Sequence, residues 1–316
     1  MNAATRALVG VLACGGFVFA RVPGLSDGAW AHALLLFAAL VLVPLALELF
    51  RDAEEAPAPA RWFNWVERLQ LPAGLALLVA CWIPPGRLAA AAALPWVGLT
   101  AAMAIIGLWR VQQGGLRRDL DGLCRDAALI FAVIGGAWTL ADRLGYRPLG
   151  FDPAIVALTA VHFHFAGLLL PLFAGLVQRE LFFWRLASRA AVGVVLGVPA
   201  VAVGITMTQL GAGPSVEAAA GCGLALAGMV VGILHVRIAT DGRQPITTRL
   251  LLAIAGVSLF IGMVLAALYA MRAFVAPFPW LGIPQMRMLH GTVNALGFGG
   301  CGVLAWRRMA RGRDRI

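Results

Sequence analysis

The sequence predicts an all-α fold, a polytopic bundle of about ten transmembrane helices with no soluble domain. Three observations carry this expectation. The 316 residues are 61% apolar before any of the 37 glycines is counted, and only 13% are charged. A soluble domain is about 45–50% apolar with glycine included and about 25% charged. The apolar residues also fall into runs near the roughly 20 residues that a helix needs to cross a hydrocarbon layer about 30 Å thick. Finally, every one of the 25 basic residues is Arg, and they lie in the short gaps between runs or near the ends of the runs. This composition excludes a disordered chain and argues against an ordinary soluble enzyme.

The runs lie near 5–22, 29–50, 65–83, 88–109, 124–141, 153–176, 190–210, 216–236, 250–271 and 286–306. The first is short and also reads as a signal peptide, with Val18 and Ala20 at the small-residue positions of a cleavage site. The second carries Glu48 near one end, three residues before Arg51, as an interfacial ion pair would. An acidic Pro/Ala linker, Asp52–Pro59, follows it, and Trp62 and Trp65 then suit interfacial anchors. The third run has Glu67 and Arg68 near its start and Pro72 inside, so nine spans or a re-entrant third segment stay open. The fifth has about fifteen cleanly apolar residues. Between the sixth and seventh, Gln178–Arg189 mixes aromatics with arginines and reads as an amphipathic surface helix or a loop. No internal repeat is visible. Two inverted sets of five spans would put matching breaks at Cys14–Gly16 and at Gly167 with Pro171.

The arginines orient the bundle. With a cytoplasmic N-terminus, only Arg21, Arg87, Arg143, Arg147, Arg272 and Arg287 fall in outer segments, and the remaining 19 of the 25 face inward. That bias predicts a bacterial inner membrane protein with both termini cytoplasmic, whose partner is the lipid bilayer. The net charge of +10 therefore reflects topology, and no basic stripe with interleaved aromatics points to nucleic acid. Four of the five cysteines lie in apolar runs, Cys124 lies in a charged loop, and no CxxC pair exists, so neither a disulfide framework nor a zinc ribbon is signalled.

Polar groups inside hydrocarbon are expensive, so they mark where chemistry can sit. The sixth run holds Thr159, His162 and His164, with both imidazoles roughly 13–17 Å below the outer edge at 1.5 Å per residue. Two residues apart on a helix, they point to opposite sides, which predicts a central helix with lipid on neither side. His164, Gly167, Pro171 and Gly175 form a stripe suited to close packing. In the last run, His290, Asn294, Gly297 and Cys301 share one face, with Asn294 level with His162 by depth. Thr206, Thr208, Gln209 and His32 lie toward the same outer side, whereas His235 reads as interfacial. No carboxylate lies at the depth of His162 and His164, so both are expected to be neutral at pH 7. The imidazoles are read three ways: packing hydrogen bonds, a metal or haem ligand set of His162, His164 and His290, or a substrate and proton relay of those histidines with Asn294 and Thr159. No hydrolase, Walker or dinucleotide motif is present.

The segments HFHFAG at 162–167, preceded by Thr159, and HGTVNALGF at 290–298 resemble the YndJ-like integral membrane proteins of bacteria. The multi-span layout agrees over most of the chain. The resemblance implies a multi-pass membrane protein and strengthens the choice of residues without defining a reaction. The leading expectation is transport of a small solute or lipid-like molecule by means of the midplane histidines. The alternatives are a membrane enzyme or redox protein holding haem or a transition metal through the same histidines, and an accessory protein with a structural polar core.

Overall fold

The computed structural model describes residues 1–21, 26–51, 57–114, 119–275 and 280–313. Among them every regular element is a helix, with no strand, and the chain forms an all-α membrane bundle of ten helices. They are α1 (Ala3–Arg21), α2 (27–50), α3 (Pro57–Trp82), α4 (Arg87–Gly114), α5 (Leu120–Leu144), α6 (Pro153–Glu180), α7 (Arg185–Gln209), α8 (Ser215–Ala239), α9 (Ile246–Ala270) and α10 (283–313). Eight of these are long and apolar enough to cross a membrane; α3 and α10 are the other two. Most of the linker after α2 lies outside the described residues. The aromatic stretch after α6 is a tight turn at 181–184 and not a surface helix, because α6 runs on to Glu180 and α7 starts at Arg185.

The chain divides into two compact units. The first comprises 1–119 and 125–169, and the second comprises 120–124 and 170–316.

In the first unit α2 is the innermost helix, with no exposed residue over 31–50. Its helix is irregular. A π-turn spans Ala38–Leu42, a short α-helical stretch carries Pro44, and a 3₁₀ turn closes at Phe50. Pro44 has no N–H for the carbonyl four residues back, so the regular ladder cannot run through this point. A side chain from α3 meets one of the displaced carbonyls: Gln70 Nε2 donates to Ala39 O at 2.8 Å. Gly10 and Gly74 let α1 and α3 approach Leu40, and a methyl group at position 74 would lie 2.6 Å from Leu40 Cδ2. At the far end of α2, Arg110 Nη1 donates to Phe50 O at 2.9 Å and Arg125 Nη1 to Arg51 O at 3.2 Å. Arg51 in turn grips Glu67 at 2.6 Å and Asn64 at 2.9 Å. Cations at a helix C-terminus complement its dipole and its open carbonyls, so part of the arginine bias has a structural use.

Helix α6 starts on a good cap, with Asp152 accepting from Ala154 N at 2.8 Å and Pro153 at the first helical position. It then passes through a π-turn at Phe163–Leu169, just before Pro171, for the same reason as α2. The predicted break at Gly167 and Pro171 is therefore present. Its expected counterpart at Cys14–Gly16 is not: α1 is continuous, and the first broken helix is α2, where the proline is.

In the second unit α7, α8 and α9 pack in sequence order. Small residues set their separation. A methyl at Gly232 would lie 2.7 Å from Gly256 O, and one at Gly228 would lie 2.7 Å from Met263 Cγ. This is the close backbone approach on which membrane helices rely in place of a hydrophobic drive. Helix α10 lies along α9 and is π-distorted twice, at Arg287–Gly291 and Asn294–Cys301, before it ends as a regular α-helix.

Candidate functional site

Both imidazole nitrogens of His164 are committed. Nδ1 lies 2.7 Å from Ala160 O, four residues back on the same helix, and a carbonyl can only accept. Nε2 accepts from the indole N–H of Trp96 at 3.0 Å, and an indole can only donate. The network therefore assigns the neutral ring with its proton on Nδ1. The two rings stack at 5.8 Å with 23° between their planes. Gly135 of α5 makes room for the imidazole, since a methyl there would sit 2.9 Å from Cε1 and Nδ1. With no lone pair left over, this side chain offers nothing to a metal as it stands.

The second unit repeats the arrangement. His235 Nδ1 lies 2.8 Å from Val231 O, again four residues back, and Nε2 accepts from Trp306 Nε1 at 3.1 Å. Here the rings meet edge to face, and Phe173 and Phe298 close the surroundings. Sequence reasoning placed His235 at the interface beside Arg237. The structure corrects this: His235 is fully buried in the second unit, with its tryptophan partner 71 residues away. An exposed Arg237 two positions on concealed which face of α8 the histidine takes.

The remaining predicted residues of the first unit lie on the other side of α6. His162 is exposed, and Thr159 spends its hydroxyl on Ile155 O at 2.7 Å. The two histidines do point apart, as the helical rotation requires. The expectation that α6 shows neither face to the surroundings fails at His162, because only the His164 side meets the groove that Gly135 provides.

In the second unit α10 brings His290 and Asn294 together against α9. His290 Nδ1 lies 2.7 Å from Gly262 O and Asn294 Nδ2 lies 3.4 Å from the same nitrogen. Asn294 packs directly on Gly262, and Gly297 takes Ser258 in the same way one turn further on. A ring nitrogen that donates to Gly262 O cannot also accept from an amide N–H. Asn294 Oδ1 is buried without a hydrogen bond. Turning the amide would direct Oδ1 at the ring N–H, but it would then strand the amide nitrogen. In either orientation one end of this buried amide lacks a partner among the described residues.

One cluster escaped the sequence reading. In the first unit, His32 of α2 meets Asp142 and Arg143 at the end of α5. His32 Nε2 lies 2.9 Å from Asp142 Oδ2 and 2.8 Å from Arg143 Nη2. Arg143 Nε also donates to Asp142 Oδ2 at 2.7 Å, and its Nη1 reaches Ala80 O of α3 at 3.3 Å. The side chains of His32, Asp142 and Arg143 are only 13%, 11% and 3% exposed. A single imidazole nitrogen cannot donate to the carboxylate and accept from the guanidinium at once. The cluster has two bonded arrangements, which differ in where His32 carries its proton. The adjacent Asp-Arg pair closes the apolar run at 141 and so reads as a helix end; the signal that could have found it is a carboxylate and His32 at matching outer ends.

Among the described residues no group of three or more His, Cys, Asp or Glu side chains is placed to hold a metal ion.

Comparison with known proteins adds a family. The family model described as YndJ-like protein matches residues 33–298, which include α6 and most of the distorted part of α10. A curated relative, the uncharacterized membrane protein YndJ of Bacillus subtilis (strain 168), is 26% identical over 302 residues, 95% of this chain and 52% of the relative. The chain thus spans about half the length of that relative. No solved structure matches.

Proposed function

The chain belongs to the YndJ-like family, and we propose that it moves a small solute or lipid-like molecule across the bacterial inner membrane, with both termini in the cytoplasm. The observation that carries this reading is the His32–Asp142–Arg143 cluster. Ionisable groups buried in a membrane protein are costly, and they persist where charge or protons are handled. A lone helix clamp would need only the Arg143–Asp142 pair and the bond to Ala80. His32 adds a proton carrier that trades one partner for the other. His290 and Asn294 are the groups assigned to the solute, because their half-satisfied amide leaves hydrogen-bonding capacity for a ligand. His162, exposed and beside Thr159, is assigned to the relay. His164 is assigned a positioning role, since its ring is already saturated.

Reconstitution tests this. Proteoliposomes loaded with the pH dye pyranine are given an inward proton gradient, a panel of small organic solutes, or a fluorescent headgroup-labelled phospholipid. Wild type should move protons or one of these probes faster than protein-free vesicles. Asp142→Asn and His290→Ala should remove that excess while inserting normally. Flux equal to protein-free vesicles for every probe, or full flux in both variants, would overturn the proposal.

A further inference from the structure

We propose that the end of the second unit where α6 turns into α7 binds the headgroup of an anionic phospholipid. The turn presents Phe182, Phe183 and Trp184 outward, Phe183 being 92% exposed. Phe182 and Phe183 pack edge to face on each other, at 5.4 Å. Three apolar rings in a row at the end of membrane-spanning helices have a natural medium in the lipid interface, where aromatic side chains concentrate. Soluble ligands give no reason for them.

The charge beside these rings is unmatched. Arg185 and Arg189 are both exposed, and their guanidiniums make no hydrogen bond or ion pair with any described residue. They are four apart on α7, so their side chains lie along one face, and like charges so placed destabilise a helix unless an anion intervenes. Arg237, at the end of α8, lies over the Trp184 ring at 5.6 Å and donates to Thr240 Oγ1 at 3.2 Å. The nearby acids are otherwise engaged. Asp121 faces Arg179 at 3.6 Å, Asp241 holds Arg243, and Glu180 makes an interaction of its own that involves neither Arg185 nor Arg189. What remains is a set of three guanidiniums beside a hydrophobic lip. A phosphodiester suits the former and its acyl chains suit the latter, so a lipid satisfies both where a free phosphate satisfies one. Arginine is also the side chain best shaped to take phosphate oxygens in pairs.

The experiment uses the full chain in detergent. Native mass spectrometry and thermal unfolding are recorded with phosphatidylglycerol, phosphatidylcholine or glycerol 3-phosphate. Wild type should retain phosphatidylglycerol in preference to phosphatidylcholine and unfold at a higher temperature with it, and glycerol 3-phosphate should do neither. At about 1 kcal/mol for each basic residue near an anionic surface, each of R185Q, R189Q and R237Q should weaken retention about fivefold. The pair F182S/F183S should weaken it as well, with R61Q/R68Q as the unaffected control. R189Q alone keeps the test open if combined variants fold poorly, because it alters one exposed side chain. Equal retention of the two lipids, no loss in R189Q, or an equal effect of glycerol 3-phosphate would overturn the proposal.

Discussion

Trp96→Phe isolates the bond that fixes His164. The substitution keeps an aromatic ring at a fully buried position and removes the one N–H that His164 Nε2 accepts at 3.0 Å. Stranding a buried acceptor costs about 1–3 kcal/mol, and the smaller ring leaves a void worth roughly 1 kcal/mol more. Trp96→Phe should therefore cost about 2–4 kcal/mol. The pairwise share is smaller, because the unfolded chain in a micelle also finds partners. Hydrogen bonds between membrane helices average about 0.6 kcal/mol and reach about 1.7. A double-mutant cycle of Trp96→Phe with His164→Leu, read by far-ultraviolet circular dichroism during unfolding in mixed dodecyl sulfate micelles, should return a coupling near 1 kcal/mol. The same cycle on Trp306 and His235 should return a similar value, since that bond is 3.1 Å long and equally buried. A coupling no larger than about 0.3 kcal/mol, the ordinary scatter of additivity, would refute the reasoning for either pair.

Three further outcomes are expected. Gly262→Ala would drive a methyl group into the Asn294 amide, and such overpacking should cost about 1–3 kcal/mol in the same unfolding assay, with Asn294→Ala in the same chain relieving most of it. Gln70→Leu removes the donor to Ala39 O in the α2 π-turn and should cost about 1–2 kcal/mol, whereas exposed Asn64→Leu should shift the midpoint far less. Outside the membrane, hydrogen bonds from Arg243 lower the Asp241 carboxyl to about 2. Because the folded value is depressed, Asp241 stays ionised as pH falls through the ordinary carboxylate range and protonates only near pH 2. Carbon-13 NMR of the side chain should show that midpoint, and Arg243→Gln should return it toward about 3.9.

Much of this was legible in the sequence because a membrane imposes few solutions. Runs of about 20 apolar residues must become helices, and each of the ten expected runs overlaps a helix, eight of which are long and apolar enough to cross a membrane. Glu67 and Arg68 in the third run, which raised the re-entrant reading, lie well inside a continuous α3 that begins at Pro57, and Glu67 there receives Arg51. The break at Pro171 was visible because proline acts locally, and Pro44 carries the same signal in α2. What the sequence concealed was pairing at long range. His164 is held by a tryptophan 68 residues away, His235 by one 71 away, and His32 by a carboxylate 110 away. Nothing in a helical period says which of several tryptophans faces an imidazole. Depth along a helix is a one-dimensional coordinate, and it cannot tell a saturated histidine such as His164 from an exposed one such as His162.

The central claim, that the chain carries a solute path past His290 and Asn294, is tested most directly by access to water. In a chain with its five native cysteines replaced by Ala, single cysteines are placed at 290 and 294 and treated with a charged, membrane-impermeant thiol reagent. The reagent is applied to right-side-out and to inverted vesicles. A path that opens alternately predicts labelling of at least one of these positions from both faces, while a cysteine at 96 or 306, inside the saturated Trp–His pairs, stays unlabelled from either. If positions 290 and 294 are closed to the reagent from both sides, as 96 and 306 are expected to be, no path passes them and the account is contradicted.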